Sequence, residues 1–128
     1  MGWKIIIIAV AFIMPYLARI PRSLTRGPDW FWSYLPSPGA FFFFSAFNLI
    51  GLVPLAILAA VSARSGANVA FILTAGVHMA ATFFFHQGYD LAADAQAAIG
   101  LAVFPLIVFA ITAVTALVAF FIERALRS

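Results

Sequence analysis

Leu101-Ala102-Val103-Phe104-Pro105-Leu106-Ile107-Val108-Phe109 lies inside an uncharged run from residue 95 to residue 122, and that run decides the fold. A helix rises about 1.5 Å per residue, so about 20 apolar residues cross the roughly 30 Å hydrocarbon layer of a bilayer. Outward from this run the charged residues leave three more such intervals, 5–18, 30–63 and 65–89. Only the first is shorter than a standard span. Backbone in lipid must satisfy its own hydrogen bonds, which leaves helices or a closed barrel. Barrel strands alternate polar and apolar residues over about ten positions. Neither Leu101–Phe109 nor Leu55-Ala56-Ile57-Leu58-Ala59-Ala60-Val61 alternates. The reading is therefore all-α: a polytopic membrane protein, one domain, a four-helix transmembrane bundle.

Composition points the same way. Of the 128 residues 66% are hydrophobic and 9% charged, against about a quarter charged in soluble proteins. So few charges cannot cover the surface of a chain that also carries 15 Phe. The absence of cysteine excludes disulfides, thiol catalysis, thiolate-held iron–sulfur clusters and c-type haem attachment. The net charge of +3 and pI near 10.0 do not amount to a nucleic-acid surface. The basic residues are scattered at segment ends, where they suit membrane orientation and anionic lipid, and no base-reading motif accompanies them.

The expected spans are about 4–18, 41–61, 69–86 and 97–122. The first is short, so Lys4 and Arg19 are expected to snorkel toward opposite headgroup layers. With no small-x-small cleavage pattern before the first arginines, it reads as a retained span rather than a cleaved signal. Residues 19–39 form an interfacial aromatic loop in which Trp30, Trp32 and Tyr34 join Trp3 as anchors. Ser37-Pro38-Gly39 then turns the chain inward. Pro54 predicts a kink in the second span, and Gly100 with Pro105 a kink in the fourth. The short connector 62–68 makes the second and third spans antiparallel neighbours. Small residues at Ser45/Gly51, Gly76/Ala80 and Thr112/Ala116 suit close helix packing, and Asp94 or Gln96 suits the cap of the last helix.

Candidate chemistry is sparse. Thr74, His78, Thr82 and His86 recur every four residues and wind slowly around the third span, by about 40° per step. His78, at mid-span, suits a structural hydrogen bond, a proton or solute path, or a haem ligand. Asn48 in the second span suits interhelical bonding or the lining of a small polar cavity. His78 and His86 are about 12 Å apart along the helix axis, too far to share a metal ion, and His86 with Asp90 is too small a ligand set to define one. No carboxylate pair, nucleophile turn, phosphate loop or zinc motif is present, so nothing marks an enzyme.

Two functions fit this pattern. The first is a structural or accessory subunit that acts through helix packing with itself or a larger membrane complex. The second is a small oligomeric channel or transporter with a polar path near Asn48, His78, Thr82 and His86. No cofactor is expected, haem at His78 being the one left open. The expected partners are membrane lipid and a second copy or a larger complex, not nucleic acid. Lys4, Arg64, Arg124 and Arg127 flank one side and Arg19, Arg22 and Arg26 the other, which predicts cytoplasmic termini in a bacterial inner membrane.

Overall fold

A computed structural model of the chain describes residues 1–93 and 96–128. The described residues form six helices: α1 (Gly2–Leu17), α2 (Ile20–Arg26), α3 (Asp29–Trp32), α4 (Pro38–Ser65), α5 (Asn68–Gln87) and α6 (Ala97–Arg127). There is no strand among the described residues. Among the described residues four segments are long and apolar enough to cross a membrane: Gly2–Arg26, Pro38–Ser65, Asn68–Gln87 and Ala97–Arg127. The chain is thus an all-α multi-pass membrane bundle, with α1, α4, α5 and α6 as its pillars.

Local chemistry explains where the pillars begin and end. Ser37, in extended conformation, accepts the Ala40 N–H on its Oγ at 3.1 Å, and Pro38 follows in the first turn of α4. Gly66, at φ 73°, closes α4 in the left-handed conformation that a side chain resists. α5 starts again at Asn68, so α4 and α5 run antiparallel. α4 and α6 each pass through their proline, Pro54 and Pro105, as single helices. Residues 19–39 are partly helical: Pro21 in the first turn opens α2, and Asp29 opens α3.

α5 and α6 pack along most of their length, α4 packs on α6, and α1 packs on α5 and α4. Two glycines permit close approaches within the bundle. A Cβ at Gly51 would stand 3.1 Å from Pro105 O, so α4 meets α6 backbone to backbone at mid-membrane. A Cβ at Gly100 would collide with the Tyr89 ring, whose hydroxyl donates to Ala97 O and ties the α5–α6 loop to the start of α6. The apolar core gathers Leu55, Leu58, Ala59, Phe71, Ala75 and Ala116. Outside, large apolar side chains such as Ile6, Phe42, Leu49, Ile72, Phe84 and Leu117 are exposed, as a lipid-facing surface requires. Of the residues expected to cap α6, Gln96 holds the N-cap position and Asp94 lies outside the described residues.

Candidate functional site

The polar repeat of α5 is buried. Thr74, His78, Thr82 and His86 all face the interior of the bundle. His78 Nδ1 lies 2.9 Å from Thr112 Oγ1 on α6, and the Thr112 hydroxyl donates to Val108 O at 2.6 Å. A hydroxyl has one proton, already committed to Val108, so His78 Nδ1–H is the donor and Nε2 carries the lone pair. Thr82 bonds back to His78 O at 2.8 Å. As the donor in that bond, the Thr82 hydroxyl keeps its two acceptor lone pairs.

Asn48, His78, Thr82 and His86 converge on one void, walled by Gly51 of α4 and Pro105 of α6 on one side and by Ala11 and Pro15 of α1 on the other. It offers about 10 Å³ to the centre of a water-sized sphere, room for one water molecule. A second void of about 10 Å³ also touches Asn48 and His86 and reaches Tyr34, Tyr16 and Leu101. The structure therefore brings together the four polar residues singled out in the sequence. The two water-sized spaces lie in series toward Tyr34, with Pro15, Asn48 and His86 as shared walls.

Tyr34 closes that series at the α1–α2 end. Its hydroxyl is 3.0 Å from His86 Nδ1, and its ring meets the His86 ring edge-on at 5.6 Å. Burial pushes the Tyr34 phenol well above its ordinary range, against the opposing pull of Arg19.

Arg19 is the centre of this end and is wholly buried. A guanidinium has five N–H donors, and here each one is used. Nε and Nη2 donate to Trp30 O at 3.0 and 2.7 Å, and Nη2 also donates to Ser33 Oγ at 2.9 Å. Nη1 donates to His86 O at 3.2 Å and to Tyr89 O. The guanidinium also lies over the Trp30 and Tyr34 rings, 4.1 and 4.0 Å from their centroids. His86 O belongs to the last turn of α5, where carbonyls lack intrahelical partners and the helix dipole favours a cation. Arg19, in the turn between α1 and α2, thus caps α5 and clamps the α2–α3 segment over the bundle.

The other end of α5 has the opposite device. Glu123 of α6 accepts the Ala70 N–H on Oε2 at 2.6 Å, in the first turn of α5, and pairs through Oε1 with Arg127. An anion at the N-terminus and a cation at the C-terminus both complement the dipole of α5. Close by, Lys4 is buried and donates to Ser62 Oγ at 2.6 Å, with its ammonium 5.5 Å from the Phe71 ring centroid.

Lys4 and Arg19, read from sequence as snorkelling, instead turn inward to protein partners. Of the residues read as anchors, Trp32 and Trp3 are exposed, whereas Trp30 and Tyr34 are buried against Arg19. Asp90 accepts the Ala92 N–H of its own loop at 2.9 Å. The caps by Arg19 and Glu123 were not anticipated, because their partners are backbone groups that no residue pattern displays. Compared with known protein families, curated proteins and solved structures, the chain matches none; its fold is that of a multi-pass membrane protein, with four apolar helices among the described residues.

Proposed function

We propose that this protein is a structural or accessory membrane subunit that acts through helix packing, with a second copy of itself or with a larger membrane complex. The observation that carries the reading is how the small residues are distributed. Gly51 and Gly100 are consumed inside the bundle, by Pro105 and Tyr89. Gly76 and Ala80, four apart, lie on the exposed face of α5, and a Cβ at Gly76 would meet nothing. Small residues at this spacing let helices approach closely in a bilayer, and nothing within the described residues uses this face. The interior, with water-sized voids and capped helix ends, leaves the outer surface as the place of contact. Orientation follows the flanking bases: the end bearing Lys4, Arg64, Arg124 and Arg127 faces the cytoplasm of a bacterial cell.

The test is crosslinking in native membranes followed by purification. A fixed assembly is expected for the wild type and its loss for Gly76→Leu, with the bundle still folded. An assembly that ignores Gly76→Leu and Ala80→Leu would remove this basis.

A second reading, a proton or small-solute path in an oligomeric channel or transporter, is favoured by the two voids that share Asn48 and His86. It predicts flux in liposomes that disappears in both Asn48→Ala and His78→Ala while the assembly survives. Absorbance in the haem region, lost on His78→Ala, is the corresponding check for the haem option.

A further inference from the structure

The seam between α4 and α6 is asymmetric about the mid-membrane contact of Gly51 with Pro105. Toward the Lys4 end it opens into an apolar groove of about 380 Å³, bounded by Val53, Ile57 and Val61 of α4 and by Ala113, Leu117 and Phe121 of α6. By helix rise the groove runs about 12 Å from Val53 to Val61, and Ser65 lies about 6 Å further on. That is the depth of one leaflet, about 15 Å of hydrocarbon and then the headgroup layer. A partner helix would need the full thickness, and at mid-membrane the seam is shut.

One turn beyond the groove lies a recess lined by Ser65, Arg124, Arg127 and Ser128. Arg127 is neutralised by Glu123. The Arg124 guanidinium stands 5.9 Å from the Phe120 ring centroid and has no carboxylate partner among the described residues. A larger groove between α5 and α6 opens at the same end, but its charged residues are the paired Glu123 and Arg127. Charge therefore distinguishes the two.

We propose that the α4–α6 groove binds an anionic phospholipid, with an acyl chain between Val53–Val61 and Ala113–Phe121 and the phosphate against Arg124. The occupant is a lipid of the leaflet at the Lys4 end. An arginine facing the headgroup layer strengthens anionic-lipid association by about fivefold.

The test reconstitutes the full chain in phosphatidylcholine vesicles carrying a trace of spin-labelled phosphatidylglycerol or spin-labelled phosphatidylcholine. The motionally restricted fraction reports the lipid held by protein. Wild type is expected to prefer phosphatidylglycerol by about fivefold. Arg124→Gln should lose most of this preference, and Ala113→Phe, which fills the groove, should lose the excess of restricted phosphatidylglycerol over phosphatidylcholine, leaving only lipid held equally on the outer surface. Arg22→Gln, at the opposite end, should keep both. Equal retention of the two lipids by wild type, or a preference undiminished in Arg124→Gln, would overturn the proposal. So would efficient disulfide crosslinking of Leu117→Cys between copies, which places a second chain in the groove. Should Ala113→Phe fail to fold, Arg124→Gln decides alone.

Discussion

Replacing Arg19 by Met removes the clasp at one end of α5 while keeping an apolar stem of similar length. Trp30 O keeps a donor, because Ser33 Oγ–H reaches it at 2.9 Å. His86 O and Tyr89 O both lose the Arg19 donor. A buried carbonyl left unsatisfied costs about 1–3 kcal/mol, and the contacts to the Trp30 and Tyr34 faces add about 0.5–2 kcal/mol. Relief from burying a cation offsets part of this, and removing one partner of a buried charge network typically costs about 3–5 kcal/mol. We expect a net loss of about 3 kcal/mol. At roughly 3–5 °C per kcal/mol for a domain of this size, the midpoint should fall by about 10 °C. Arg19→Lys keeps the charge with three donors in place of five and should fall about half as far. The assay is thermal unfolding of the purified protein in mild detergent, with limited proteolysis of the α2–α3 segment as a local readout. A midpoint for Arg19→Met within about 2 °C of wild type, with α2–α3 still protected, would refute the clasp.

Three further expectations follow from the same geometry. Glu123→Gln removes the anionic cap from α5 and the partner of Arg127, and should cost about 1–2 kcal/mol in the same unfolding assay; an unchanged midpoint would deny the cap. Gly51→Ala places a Cβ 3.1 Å from Pro105 O and should destabilise by about 1–3 kcal/mol, whereas Gly76→Ala meets open space and should be neutral or stabilising by up to about 1 kcal/mol; equal effects would contradict the close approach of α4 and α6. The phenolate absorbance attributable to Tyr34, the difference between wild type and Tyr34→Phe, should appear only well above pH about 10. Because the folded phenol is raised, the stability tied to Tyr34 is complete below about pH 10 and is lost as pH rises through the raised value. A Tyr34 phenolate forming near pH about 10 would refute its burial.

Much of this fold is legible in the sequence because lipid enforces it. Uncharged runs separated by charges translate directly into the apolar pillars, since no other backbone arrangement in a bilayer satisfies its hydrogen bonds. The convergence of Asn48, His78, Thr82 and His86 is legible too, because spacing puts three of them on adjoining turns of one helix and polarity turns them away from lipid. What escapes is the treatment of charge. Lys4 and Arg19 read as residues seeking water, yet Lys4 finds a serine hydroxyl and Arg19 the His86 carbonyl at the α5 end and the Tyr89 carbonyl just beyond it, while Glu123 takes a terminal N–H. Such partners belong to helix ends brought together by the tertiary fold. Those of Arg19 and Glu123 are backbone groups with no residue identity, so composition and periodicity are blind to them. The placement of Trp30 and Tyr34 escapes for the same reason: aromatic rings suit the interface until a buried guanidinium needs two faces to lie between.

The most direct test of the central claim, four helices crossing the bilayer with alternate ends on opposite sides, uses the absence of native cysteine. Single cysteines at Asp29, Ser37, Ser65 and Ser128 are labelled in sealed vesicles with a membrane-impermeant maleimide, beside one at Leu49 within α4. Asp29→Cys and Ser37→Cys should react from one side, Ser65→Cys and Ser128→Cys from the other, and Leu49→Cys from neither. Labelling of Ser37→Cys and Ser65→Cys from the same side, or of Leu49→Cys as fast as Ser65→Cys, would contradict the membrane-spanning bundle.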